Sequence, residues 1–189
     1  MQDIDRLLTP IKNKIFRIIG RGILEKVKSS EKTQMIQITG LKDEVVTDIE
    51  WLQTYGYTCY PKVTNTAEAL IAYLNGNRDQ GIAIAVHDRE KRPTDLASGE
   101  VCIYDHNDNR ITIKQNDDIH IYSKSKIRLE TQAGNKITMD STGIIVEDKN
   151  SNKVTMSSTG MKLEDKNSNT IDMVAAEIKF NGTNMEILQ

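Results

Sequence analysis

The 189-residue chain is poor in the features that announce most functional classes. Its two cysteines, Cys59 and Cys102, are too few for a disulfide framework and too far apart for a zinc knuckle, so free thiols are expected. One Trp and two Phe leave the core to be built from Ile, Leu, Val and Met. No window approaches the roughly 18–20 consecutive apolar residues of a membrane span. Residues 1–30 also lack the apolar stretch of a secretory signal, so synthesis and folding in a cytoplasm are expected. With 25 basic against 27 acidic residues there is no net positive charge to neutralise phosphates, and no nucleic-acid partner is expected. The three histidines, His87, His106 and His120, sit in no H-E-x-x-H pattern and beside no cysteine pair. His87 and Asp88 are adjacent, which in a strand points them to opposite faces and spoils a relay. Walker A, G-x-G-x-x-G and G-x-S-x-G loops are missing as well, so no catalytic residue and no enzyme activity are expected.

What the chain has is a threefold division of charge and of hydrophobic period. Residues 1–30 carry seven basic and three acidic side chains, residues 31–108 seven and thirteen, and residues 109–189 eleven of each. In the first segment Ile4, Leu7, Leu8, Ile11, Ile15 and Ile18 recur at steps of three and four, the spacing of one helix face. Thr9-Pro10 suits an N-cap and first turn, which predicts a regular helix from there to Gly20. Lys12, Lys14, Arg17 and Arg21 decorate its other side, either simply solvated or docking on an acidic partner surface. Between Arg21 and Asp108, β-branched runs at 22–27, 33–39, 44–49, 67–74 and 80–86 are bounded by turn residues such as Asn75-Gly76-Asn77. Five short strands in that length predict a small barrel, the OB type being one solution among several. Trp51, Tyr55, Tyr57, Tyr60 and Tyr73 could stack on bases, but the local excess of six acidic residues opposes a phosphate backbone.

The third segment contains an internal repeat. Residues 135–151, NKITMDSTGIIVEDKNS, and 152–168, NKVTMSSTGMKLEDKNS, agree at twelve of seventeen positions, and a decayed copy begins at Asn169. Apolar residues alternate within each unit: Ile137 and Met139 then Ile144 and Val146, Val154 and Met156 then Met161 and Leu163, Ile171 and Met173 then Ile178 and Phe180. Ile111, Ile113, Ile119, Ile121, Ile127 and Leu129 belong to the same inward set. Alternation at two predicts short strands with one apolar face, and Ser-Thr-Gly and Glu-Asp-Lys-Asn-Ser supply the turns between them. Asp148-x-Asn150-x-Asn152 and Asp165-x-Asn167-x-Asn169 mimic calcium-loop spacing but lack its glycine and its closing glutamate, so they read as turns. Met139, Met156, Met161, Met173 and Met185 read as flexible fillers, not metal ligands. Two apolar side chains per strand give one chain too little surface to offset the entropy of ordering it. Either the chain stacks on itself as a solenoid, for which the repeat is short, or three chains wind together with their apolar stripes on a common axis. The second arrangement is the expectation carried forward, with residues 1–20 as helix, 21–108 as barrel and 109–189 as the wound repeat.

The order helix, barrel, strand repeat resembles the phage baseplate assembly protein V family, the central spike of contractile tails, and in particular Mu-like spike proteins. The residues that carry the resemblance are Gly20-Arg21-Gly22-Ile23-Leu24, Tyr55-Gly56-Tyr57-Thr58-Cys59-Tyr60-Pro61, Ala67-Glu68-Ala69-Leu70 through Gly76-Asn77-Arg78, Ile84-Ala85-Val86-His87-Asp88-Arg89, and Gly99-Glu100-Val101 through Tyr104-Asp105. The resemblance implies an OB-fold barrel followed by an intertwined triple-stranded β-helix in a homotrimer, located in the virion tail baseplate and assembled in the bacterial host cytoplasm. It further implies a spike that caps the baseplate hub or tail tube and pierces the host outer membrane when the sheath contracts; the basic residues named above are the candidates for docking on the hub. Some members close the tip with iron held by His-x-His; this chain has no histidine after His120, so no iron and no other cofactor are expected. Residues 180–189 could plug the tip with apolar side chains, the alternative being a separate tip protein. A competing reading keeps the trimeric repeat as a fibre-like stalk and gives the barrel a saccharide or nucleic acid to bind.

Overall fold

The computed structural model describes residues 2–30, 32–40 and 44–182. Helix α1 (Gln2–Phe16) begins earlier than Thr9-Pro10 predicts and takes Pro10 into its interior. Ile4, Leu7 and Leu8 continue the apolar face of the later turns, so extending the helix N-terminally keeps that face whole, while Pro10 forfeits the one hydrogen bond its own nitrogen would donate. The helix also stops short of Gly20. Arg17 and Ile18 donate to the carbonyls of Lys14 and Ile15 at 3.2 Å, a tightened last turn, and the chain enters a strand at Ile19.

The chain divides into two units, Met1–Leu96 with Tyr104–His106, and Ala97–Ile103 with Asn107–Gln189. In the first, β1 (Ile19–Lys28), β2 (Met35–Thr39), β3 (Val45–Trp51), β4 (Ala67–Tyr73) and β5 (Gly81–Asp88) close a barrel in the order β1-β2-β3-β5-β4. All pairs are antiparallel except β3 with β5. Alternation fills its interior: Leu24, Ile36, Ile38 and Ile71 are fully buried, with Val27, Ile49, Trp51, Ala67, Ala69, Tyr73 and Ala83 around them. Gly20 and Gly22 are dictated by close approach. A Cβ at Gly20 would strike the Tyr73 ring, and one at Gly22 would strike the Thr39 carbonyl oxygen at 2.7 Å. Asp88 ends β5 by accepting hydrogen bonds from the Thr64 and Thr66 hydroxyls at 2.7 and 2.8 Å, which ties it to the entry of β4.

In the second unit β6 (Val101–Tyr104), β7 (Arg110–Ile113) and β8 (Ile119–Tyr122) form a three-stranded sheet. β9 (Ile127–Glu130), β10 (Lys136–Asp140), β11 (Gly143–Glu147), β12 (Lys153–Ser157), β13 (Gly160–Glu164), β14 (Thr170–Val174) and β15 (Glu177–Asn181) form a seven-stranded antiparallel meander. Each repeat is two strands, as its alternation predicts, and every strand pairs with its sequence neighbours, so within this sheet the chain does not coil into a solenoid. Two kinds of turn alternate. After β11 and β13, Asp148 and Asp165 each receive backbone N–H groups from the residues two and four positions on, and Ser151 and Ser168 take φ of 70° and 66°, the left-handed residue of a three-residue hairpin loop. After β10 and β12 the turns have two residues and close on Gly143 and Gly160, at φ of 139° and 137°. A Cβ on either glycine would overlap the carbonyl oxygen of Met156 or Met173 on the next strand. Replacing Gly143 or Gly160 with Ala is therefore expected to destabilise the second unit by about 1–3 kcal/mol in thermal denaturation. Gly40→Ala, where the new methyl meets nothing closer than 3.6 Å, should leave the melting temperature unchanged.

Candidate assembly interface

The register of the meander sorts its side chains into columns. One runs Ile127, Met139, Ile144, Met156, Met161, Met173, Ile178, and the next runs Leu129, Ile137, Val146, Val154, Leu163, Ile171, Phe180, each residue directly opposite its neighbours. Both columns lie on the same face, two residues apart on every strand. In the three-stranded sheet Ile111 pairs with Ile121 and Ile113 with Ile119, giving the same one-sided arrangement. The eighteen residues expected to point inward thus fall on apolar faces without exception. Among the described residues of one chain they are covered only in part. None is buried; Ile137 is 37% exposed, Leu129 53%, Phe180 59% and Ile178 62%. Every buried hydrophobic residue of the described chain belongs to the barrel.

The opposite face of the meander is polar apart from Ile145 and Val174, and its order was not anticipated from the sequence. Glu130, Lys136, Glu147, Lys153 and Glu164 stand in one row across five strands, signs alternating at every step. Lys136 Nζ reaches Glu147 Oε2 at 3.0 Å. Beside that row Lys162, Asp172 and Lys179 alternate likewise. Pairs of opposite charge directly across strands favour this register, and a slip by one residue would throw the apolar columns onto this face. The signal was present as the seventeen-residue recurrence of Lys136 with Lys153 and of Glu147 with Glu164.

A ladder of asparagines runs along one margin. The side-chain oxygens of Asn135 and Asn152 each accept the backbone N–H of the turn residue fourteen positions on, Lys149 and Lys166, at 3.0 Å, and Asn109 accepts from Lys124 in the first such turn. The spacings that mimic calcium loops are accordingly spent on the turns themselves. The Asn152 and Asn169 side chains donate to Asp148 and Asp165, which lowers both carboxyls below their ordinary range. At the other margin the Thr142 hydroxyl and amide donate to Asp140, with Lys126 Nζ at 3.1 Å, and hold its carboxyl at about 2.

The remaining expected residues are scattered. Lys12 and Lys14 lie on α1 and Arg17 just after it, all exposed. Arg21, on β1, is already paired with Glu68, which Arg89 approaches as well at 3.3 Å. Of the aromatic residues weighed as a stacking platform, Trp51 and Tyr73 are core, and Tyr55, Tyr57 and Tyr60 stand exposed in the segment between β3 and β4. Met185 and the residues after Gly182 proposed to plug the tip lie outside the described residues.

Residues 21–90, which span the barrel, match the family model described as Bacteriophage Mu Gp45, N-terminal. The chain is 36% identical over 138 residues to the "baseplate puncturing device gp45" of Escherichia phage Mu, covering 73% of this chain and 68% of that relative. It is 28% identical over 145 residues to the "Mu-like prophage FluMu protein gp45" of Haemophilus influenzae strain Rd, covering 75% and 78%.

The depressed carboxyl of Asp140 has a consequence for stability. Its folded value lies below the ordinary 3.8, so its contribution is complete above about pH 4 and is lost as the pH falls towards 2. Melting temperatures measured from about pH 5 down to pH 2 should decline, and Asp140→Asn should flatten that decline while lowering the melting temperature near neutrality.

Proposed function

The chain belongs to the Mu-like baseplate spike family represented by these relatives, and from that premise we propose that it is the central spike of a contractile tail, a structural protein of the virion baseplate that punctures the host envelope. The working form is a homotrimer. Each copy supplies one wall of residues 109–189 to an intertwined β-helix, the apolar columns meet along the threefold axis, and the charged rows face water. The observation that carries this reading is the pair of uninterrupted apolar columns that one chain leaves exposed beside a barrel that is fully packed on its own. The barrel's order, β1-β2-β3-β5-β4 with β3 parallel to β5, supports the OB type, and the division into helix 1–20, barrel 21–108 and wound repeat 109–189 is retained as part of this reading.

The mechanical task suits the arrangement. A spike loaded along its axis fails by buckling or unwinding, and a continuous hydrogen-bonded sheet from each copy, closed around a dry core, resists both. Methionine fills such a narrow axis well because its unbranched chain adapts to irregular space. Puncture requires no turnover, and the sequence after His120 contains no histidine from which a His-x-His iron site could be built. The barrel and the basic residues Lys12, Lys14 and Arg17 attach the spike to an acidic hub or tail-tube surface, Arg21 being engaged by Glu68. The stalk alternative, a barrel binding a saccharide or nucleic acid, draws little support from an aromatic set of which two members are core.

Val154→Asp tests the inward assignment of the apolar face. Three carboxylates around one axis would each face desolvation costs on the order of several kcal/mol and one another's charge. The variant is expected to lose the heat- and detergent-resistant trimer, and particles carrying it should not infect. Lys162→Ala, on the polar face, should match the parent in both assays. An unchanged melting temperature for Val154→Asp would contradict the inward assignment.

A further inference from the structure

Helix α1 carries a second apolar seam. Ile4, Leu8, Ile11 and Ile15 succeed one another at steps of four, three and four, the seam spacing of a coiled coil, and Leu7 widens the stripe on one side. Ile4, Leu7, Ile11 and Ile15 are each more than half exposed. The helix meets its own unit chiefly at its C-terminal end, where Gly76 of the turn Leu74–Gly76 leaves room for the Lys14 carbonyl. A helix of fifteen residues with a proline inside it is marginal alone, and helices of this length take their stability from packing an amphipathic face.

We propose that α1 packs against α1 of two further copies of this chain, in a short parallel three-helix bundle. The inference rests on the trimeric reading above and extends it to a second contact at the other end of the sequence. In heptad terms Leu8 and Ile15 occupy the a positions and Ile4 and Ile11 the d positions, and isoleucine at d behind leucine or isoleucine at a favours three or four strands over two. In the parallel register Lys12 faces Leu7 of the neighbouring helix, so no two lysines are set against each other, and Lys12 and Lys14 flank the seam. The area argues for copies already held together. Partly exposed aliphatic side chains with roughly 60–120 Å² each to lose give three such seams on the order of 1,000 Å², the lower edge for a stable interface. That is too little for free chains to associate through α1 alone, and enough once the repeat has made the contact intramolecular, at an effective concentration of about millimolar.

The test uses full-length protein with Cys59→Ser and Cys102→Ser and a nitroxide on Asn13→Cys, with a second preparation labelled at Arg6→Cys, both on the outward side of the seam. Sedimentation equilibrium first fixes the mass, and pulsed electron–electron resonance then measures the spacing between labels. The expected result is a narrow distribution at both sites, as helix axes about 8–10 Å apart require. Ile11→Asp should broaden it without changing the trimeric mass. A trimer whose labels give broad distributions, or narrow ones only after hub protein is added, would overturn the bundle and leave the spike reading standing. A monomeric mass would overturn both.

Discussion

A sheet with one apolar face has to be covered, and the described residues of the second unit supply no second layer to cover it. Two apolar side chains on each of seven strands remain partly open to water in the single chain. Each would contribute on the order of 1 kcal/mol when sealed, so the set amounts to roughly the net stability of a whole domain. The barrel escapes this constraint because its five strands close on themselves and enclose Leu24, Ile36, Ile38 and Ile71. The barrel therefore solves the problem by curvature, and the proposed assembly would solve it for the repeat by identical neighbours.

Everything else in the repeat serves to keep that face aligned. The turns reverse the chain at fixed intervals, with Gly143 and Gly160 admitting a neighbouring carbonyl and Ser151 and Ser168 supplying the left-handed corner. The asparagine ladder couples each turn to the one before it. Across the polar face, alternating lysine and glutamate penalise the register slips that would move the apolar columns onto it. Surface ion pairs of this kind add little stability singly, so their value lies in choosing the register.

Much of this was legible beforehand because its signals are local. Period-two alternation located the strands of the repeat, and β-branched runs located the five barrel strands to within a few residues at most of their ends. The helix start was misplaced because Thr9-Pro10 is a strong local cue, overridden by an apolar face that begins at Ile4. The charged rows and the asparagine ladder escaped notice because they join residues that become neighbours only once the register is set. For Trp51 and Tyr73, residue type suggested a binding surface, and burial, which sequence does not display, places them in the core.

The central claim is that solvent does not reach the apolar columns of the native protein. Hydroxyl-radical footprinting at native concentration reads this directly, because Met139, Met156, Met161 and Met173 form part of one column and methionine oxidises readily when wet. Strong protection of all four, lost together when the assembly is dissociated, is the outcome required. Oxidation of the four in the native protein at the rate of an unfolded peptide would contradict the account.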